Sequence, residues 1–166
     1  MAEIKDQESF ARALRALTVS QQRQVGARFV AHVLDLSNRP RFAAAQQVAA
    51  SADAGAAMLA DAYHWVHAIY VSTHPRSDLA ELDYAKQAEH FIAEALLICL
   101  APTYSEVREV HIAEKAAVYC RMARMCANMP HGEPGEGAPG SLGQAEQALG
   151  REIEAQFAVV EAFVGD

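Results

Sequence analysis

Imidazole and carboxylate side chains recur in three predicted helices at spacings that place each pair on one helix face. The six residues are His64 and His67, His90 and Glu94, and His111 and Glu114. Residues three or four positions apart are neighbours on a helix surface. Three adjacent helices could therefore direct these ligands at one point, and Asp61 and Asp83 could extend the set. Such ligands suit iron, manganese or zinc, so one hypothesis is a metal-binding helical bundle, which could be redox-active.

The sequence lacks the motifs that usually accompany such sites. Ferritin-like di-iron bundles repeat Glu-x-x-His, and neither this pattern nor the zinc-protease pattern His-Glu-x-x-His occurs in the chain. Phosphate loops of the Gly-x-x-x-x-Gly-Lys type and Gly-x-Ser-x-Gly elbows are absent as well. We therefore expect the histidines to be ordinary bundle residues, the protein to have no catalytic residues, and no cofactor to be bound.

A row of large side chains follows one predicted helix and offers a different chemistry. Met58, Tyr63, Trp65 and Tyr70 could line a pocket for a flat cofactor, although such a row at helical spacing is typical of plain core. A related hypothesis is a small apolar ligand bound near Trp65, Tyr70 and Phe91. Elsewhere, Arg121 and Arg124 fall near the end of a predicted helix, where the helix dipole accounts for them; an anion or acidic-partner patch is the alternative.

The three cysteines indicate buried thiols rather than a disulfide framework. Their number is odd, which favours a reduced, cytosolic setting. Cys120 and Cys126 are six positions apart on one predicted helix, about 9 Å along its axis and beyond the ~7 Å reach of a disulfide. We expect small apolar core thiols, with a reactive cysteine near His111 as the alternative.

The elements that must position these residues are helices almost throughout. Of the 166 residues, 35 are alanine, against 9 glycines and 6 prolines, a composition that favours helix. Apolar periodicity predicts helices over about 7–17, 19–36, 40–50, 54–73, 79–100, 103–128 and 144–164. The pairs Thr18 and Gln21, Asp78 and Glu81, and Thr103 and Glu106 have capping-box spacing before such runs. The helix over 54–73 is apolar around most of its circumference, which predicts a central position.

A Gly- and Pro-rich stretch divides the chain near its end. Residues 130–143 contain three prolines and five glycines, which is typical of a flexible linker. It separates a helical bundle domain over 1–129 from an amphipathic helix over 144–166, whose stripe of Leu149, Ile153, Val160 and Phe163 cannot be buried by that helix alone. This helix must dock on the bundle or on a second protomer. The fold prediction is all-α, a compact bundle of five or six helices followed by a linker and this C-terminal helix.

Composition and charge exclude several classes of partner. The net charge is −7, so nucleic acids and anionic membranes are poor partners. No apolar run approaches the ~20 residues of a membrane span, and residues 1–6 lack the basic-then-apolar order of a signal peptide. We expect a small cytoplasmic protein of bacterial type without enzymatic activity. It would act through protein–protein association or as a homo-oligomer, by way of its C-terminal helix.

One segment carries a family resemblance. Residues 31–41, ending in Asn38-Arg39-Pro40-Arg41 and followed by Ala-rich helices with histidines, resemble bacterial immunity proteins. The resemblance covers under half of the chain and implies a toxin-neutralising interaction as one form of protein association. It assigns no role to any residue.

Overall fold

The computed structural model describes residues 4–74, 83–101, 111–129 and 139–165. Within these ranges there are seven α-helices, a short 3-10 helix over Leu34–Leu36, and no strand. The α-helices are α1 (Gln7–Arg15), α2 (Val19–Val33), α3 (Pro40–Ala50), α4 (Ala56–Thr73), α5 (Tyr84–Leu100), α6 (Ile112–Ala127) and α7 (Pro139–Gly165). The prediction of an all-α bundle with a C-terminal helix is confirmed.

Local sequence signals account for several helix ends. Thr18 and Gln21 form the predicted capping box at the start of α2, with Thr18 N donating to Gln21 Oε1 at 2.9 Å. The two other predicted cap pairs lie outside the described residues. Asp83 caps α5 by accepting from the Lys86 amide at 3.0 Å. Capping of this kind satisfies amide groups that have no partner within the helix.

The core forms where α2, α5 and α6 meet. α5 packs along α6, and α2 lies across both of them. Large side chains such as Phe29, Ile92 and Leu96 fill this space, and alanines of α5 and α6 let the helix axes approach closely. Cys99 and Cys120 are buried here as expected, whereas Cys126 is half-buried. Burial raises the pKa of Cys99 to about 12, so this thiol stays protonated and unreactive.

α7 begins earlier than predicted and packs on its own chain. The expected start was residue 144, but the helix runs from Pro139, because proline is well tolerated in the first turn of a helix. Residues 130–138 of the predicted linker lie outside the described residues. α7 contacts α6, α2 and α1, and Phe157 places its ring 5.1 Å from that of Phe10. Of the apolar stripe of α7, Val160 is buried and Leu149, Ile153 and Phe163 are half-buried.

α4 occupies the edge of the bundle, so the prediction of a central position is wrong. It packs chiefly against α5 and α3, and only Ala62, Val66, Ile69 and Thr73 are buried among its residues. Apolar residues around a whole helix show that several faces could be covered; they do not show that the same chain covers them. Among the described helices, none is long and apolar enough to cross a membrane.

Candidate functional site

A cavity of about 260 Å³ lies between α4, α5 and α6. Its walls are Tyr63, His67 and Tyr70 from α4, Glu94, Leu97 and Ile98 from α5, and Tyr119 from α6. The α4 residues are spaced by four and three positions, and those of α5 by three and one, so each helix presents one face to the cavity. The arrangement combines three phenol rings, one carboxylate and an aliphatic wall.

Ring contacts hold the aromatic side of the cavity in place. The His67 ring stacks on Tyr63 with centroids 6.0 Å apart and also contacts Tyr70 at 6.1 Å. On the opposite side, Tyr119 stacks on Phe91 at 6.3 Å. Offset contacts of this kind restrict the rotamers of the rings. The contacts with His67 and Phe91 therefore restrict the orientation of the phenol rings.

The carboxyl group of Glu94 is the acidic group of the cavity. Burial raises its pKa, and the nearby His74 opposes that shift. The pKa of Tyr119 is raised first by burial and then by the negative charge of Glu94. The two side chains are therefore close enough to interact electrostatically inside the same partly desolvated space. Such perturbed groups in a cavity mark candidate functional sites.

His90 lies behind the cavity and is buried between α4 and α5. Its ring stacks on Tyr70 at 4.5 Å, and its Nδ1 lies 3.1 Å from Thr73 Oγ1. The hydroxyl of Thr73 is 2.9 Å from the Ile69 carbonyl oxygen. Since a hydroxyl has a single proton, donation to Ile69 leaves its oxygen to accept from Nδ1–H of His90. This arrangement selects the tautomer whose Nε2 is the basic nitrogen.

We expect the free energy of unfolding to fall as the pH drops below 6.5, with His90 as the cause. Burial, followed by the neighbouring His74, lowers the pKa of His90 below its ordinary 6.5, and the Tyr70 carbonyl opposes this. The folded state therefore binds the proton less readily than the unfolded chain, so stability is present above pH 6.5 and is lost as the pH falls through the folded pKa. Denaturation with urea across this range measures the slope.

The variant His90→Asn isolates this contribution, because asparagine keeps a donor near the position of Nδ1 and does not titrate. Its stability should vary less with pH than that of the parent protein. His64→Asn, at an exposed position on α4, is the matched control and should keep the parent slope. Glu94 and Glu152, whose pKa values are raised by burial, act in the opposite direction, so the difference between the variants is the informative quantity. Equal slopes for all three proteins would refute the prediction.

The six predicted metal ligands fall in separate places. His67 and Glu94 line the cavity, His90 lies behind it, and His64 lies outside the cavity on the exposed surface of α4. His111 and Glu114 lie at the start of α6, with Nδ1 to Oε1 at 3.2 Å, and Glu114 accepts two hydrogen bonds from Arg15 at 2.8 and 3.1 Å. Within the described part of the chain, no group of three His, Cys, Asp or Glu side chains could hold a metal ion. Iron, manganese or zinc binding thus stays a prediction.

The outer face of α4, defined by Met58, Asp61, His64, Trp65, Ala68, Val71 and Ser72, is exposed along its whole length. Its large apolar side chains keep much of their surface in water: Met58 is 54% exposed, Trp65 41% and Val71 59%. Of the residues expected to line a pocket, Tyr63 and Tyr70 do so, whereas Met58 and Trp65 point away from the bundle. Isolated apolar residues on a surface are normal, but a run of them along one helix is typical of an interaction site.

A polar network fastens α7 to α6. Gln156 is buried and accepts from Arg121 Nε at 2.7 Å while donating to the Ala117 carbonyl at 3.1 Å. Arg124 binds both carboxylate oxygens of Asp35 at 2.9 Å and lies 3.6 Å from the buried Glu152. The dipole explanation of Arg121 and Arg124 is therefore incomplete, because their acidic and amide partners belong to the same chain.

Sequence reasoning missed Tyr119, Glu152 and Gln156. Tyr119 was not distinguished from other core positions on its helix, since only the tertiary fold brings it to the residues of α4. Gln156 did leave a signal, because it interrupts the apolar stripe of α7 one turn after Glu152. A polar residue within such a stripe requires a buried partner, and arginines on another helix were candidates.

Comparison of the chain with protein-family models, curated proteins and solved structures found no match.

Proposed function

We propose that the protein acts without enzymatic chemistry, through protein–protein association, and that the outer face of α4 associates with a second copy of the chain. The observation that carries this proposal is the exposure of Met58, Trp65 and Val71 along one edge helix. Burying such side chains against a partner removes apolar surface from water, which is the main favourable term in association.

The low charge of α4 favours association with a second copy at this face. Each chain has a net charge of −7, so two copies repel each other at most orientations. α4 contains one carboxylate, Asp61, and neither Lys nor Arg between Ala56 and Thr73. Two copies that meet along α4 therefore bring few like charges together. Small side chains such as Ala68 also let the two helices approach closely.

The outer face is also compatible with two-fold symmetry. In an antiparallel pair of α4 helices, Met58 would face Val71 of the second copy, and His64 would face Trp65 of the second copy. A two-fold contact repeats each such pair, so a self-complementary face gains each contact twice. A single helix pair buries less than the ~1,200 Å² of a standard interface, so we expect a weak, concentration-dependent dimer.

Self-association should change with concentration and depend on Val71. We expect the average mass measured by sedimentation equilibrium to rise from monomer to dimer. The emission of Trp65, the only tryptophan in the chain, should shift to shorter wavelength in parallel as its ring leaves water. Val71→Glu introduces a carboxylate on both copies and should weaken association by about tenfold or more, equivalent to ~1.4 kcal/mol.

Val118→Glu is the matched control. Val118 is 48% exposed on α6 and receives the same charge away from the outer face of α4, so the variant should associate like the parent protein. A constant monomer mass at all concentrations would overturn the proposal. Equal weakening by both variants would overturn it too, since a general charge effect would then account for the result. Docking of α7 on a second protomer stays a separate prediction.

A further inference from the structure

The cavity between α4, α5 and α6 has a composition that selects for one class of ligand. Among its seven lining residues, Glu94 is the one with a carboxylate, and neither Lys nor Arg is present. The charge of His74 opposes the shift in the pKa of Glu94, Lys115 lies close enough to lower the pKa of Tyr119, and His67 contributes an imidazole to the cavity wall. A carboxylate in a partly desolvated space gains most from a cation that brings its own charge.

The phenol rings favour a cation with an organic surface. Tyr63, Tyr70 and Tyr119 line the same cavity as the carboxylate, and the faces of aromatic rings attract ammonium groups. A structural or catalytic zinc site takes three or four ligating side chains, and the described residues bring no group of three His, Cys, Asp or Glu side chains together. Leu97 and Ile98 complete an aliphatic wall that suits methyl or methylene groups.

The cavity is open to solvent, and its volume favours a small ligand. Its volume of about 260 Å³ is slightly below the ~300–1,000 Å³ of typical ligand pockets. Together with the single carboxylate, this volume favours a small monocation.

We propose that this cavity binds a small organic ammonium cation, with its positive charge against Glu94 and its alkyl groups against the rings of Tyr63, Tyr70 and Tyr119. This site is distinct from the outer face of α4, so it does not depend on self-association. The raised pKa of Glu94 fits a group whose charge is unfavourable in the empty pocket and would be compensated by the ligand.

Choline and its uncharged analogue 3,3-dimethyl-1-butanol test the proposal, because the two have nearly the same shape and differ in charge. Tetramethylammonium and n-butylammonium extend the set of cations. Titration calorimetry and ligand-observed NMR should show saturable binding of at least one cation. The affinity for the neutral analogue should be lower by about tenfold or more. The variant Met58→Glu places a carboxylate on the outer face of α4 away from the cavity-lining residues, so it should bind the same cation equally well, which separates this test from that of the proposed function.

Glu94→Gln should weaken binding of the cation by about tenfold and leave the neutral analogue unchanged. Tyr70→Leu keeps an apolar side chain but removes a π face, so it should weaken binding of the cation about threefold. Glu154→Gln, an exposed carboxylate on α7, is the matched control and should bind like the parent. Glu94→Gln should also unfold no earlier than the parent at neutral pH, because it removes an unfavourably buried charge.

Three results would overturn the proposal. One is the absence of saturable binding by any of the three cations. Another is binding of the neutral analogue as tightly as choline, which would indicate an apolar pocket without charge recognition. The third is an unchanged affinity in Glu94→Gln.

Discussion

Gly26→Val is expected to lower the free energy of unfolding by about 3 kcal/mol, because Gly26 lies where α2 crosses α5 and α6. A Cβ atom added at Gly26 would be 2.7 Å from Cys99 Sγ and 3.2 Å from Ala116 Cβ. Both neighbours are buried, so neither can move into solvent. For a chain of this length the change corresponds to a melting temperature lower by roughly 6–12 °C. Thermal and urea unfolding followed by circular dichroism measure it.

Gly150→Ala is the matched control for this prediction. Gly150 also lies in a helix, α7, but no atom would contact an added Cβ within 4 Å. Alanine is a better helix former than glycine by about 1 kcal/mol, so this variant should be slightly more stable than the parent. Equal destabilisation at the two positions would show that steric crowding at Gly26 is not the cause.

A double-mutant cycle identifies the atom that crowds Gly26. Cys99→Ala removes the sulfur that an added Cβ would approach and leaves a small cavity. The methyl group of Gly26→Ala can partly fill that cavity. The double variant should therefore be more stable than the sum of the two single effects predicts, by about 1 kcal/mol. Strict additivity would contradict the prediction.

Gly26 also shows how much a sequence can indicate about packing. A glycine inside a helical pattern, with no cap or turn nearby, costs stability and often marks a close helix contact. Apolar periodicity predicted helices around it, and Thr18 and Gln21 were placed correctly as a cap. These signals are local, and for this reason they can be recognised without knowledge of the fold.

The arrangement of the helices could not be predicted in the same way. Apolar residues on several faces of α4 suggested a central helix, yet the described helices pack against only one side of it. His64 and His67 illustrate the consequence. They are three positions apart, which places them about 60° apart around the helix axis. On an edge helix this angle is enough to place His67 in the wall of the cavity and His64 outside it, although both side chains are exposed.

For the same reason, the sequence predicted only part of the candidate site. Tyr63, Tyr70, His67 and Glu94 were all singled out from their residue types and spacing. Their grouping with Tyr119 depends on how α4, α5 and α6 are rotated about their axes. Periodicity within one helix does not determine this rotation relative to its neighbours. Pairs on single helices therefore suggested a metal site only as an alternative to protein–protein association, and they could not indicate a cavity formed by three helices.

Gln156→Ala should lower the free energy of unfolding by about 3 kcal/mol, since it removes the buried amide that joins α7 to α6. The Ala117 carbonyl would lose its partner at 3.1 Å, and the charged Arg121 would lose the acceptor of its Nε at 2.7 Å. Arg121 already has a buried Nη2 without a hydrogen-bond partner among the described residues. Urea unfolding measures the loss, and Gln147→Ala, at an exposed position on α7, should change stability by less than about 0.5 kcal/mol.

Gln156→Leu then separates the contribution of hydrogen bonds to stability from that of packing. Leucine keeps most of the volume of glutamine, so if hydrogen bonds dominate it should cost nearly as much stability as alanine. If packing dominates, leucine should be well tolerated.

The mass of these variants in solution separates association through α4 from association through α7. Because weakening of α7 leaves the outer face of α4 intact, Gln156→Ala should keep the parent dissociation constant. Tighter dimerisation in this variant, persisting when Val71→Glu is added, would mean that released α7 docks on a second protomer. If the copies associate through α4, Val71→Glu should weaken dimerisation both in the parent protein and in Gln156→Ala.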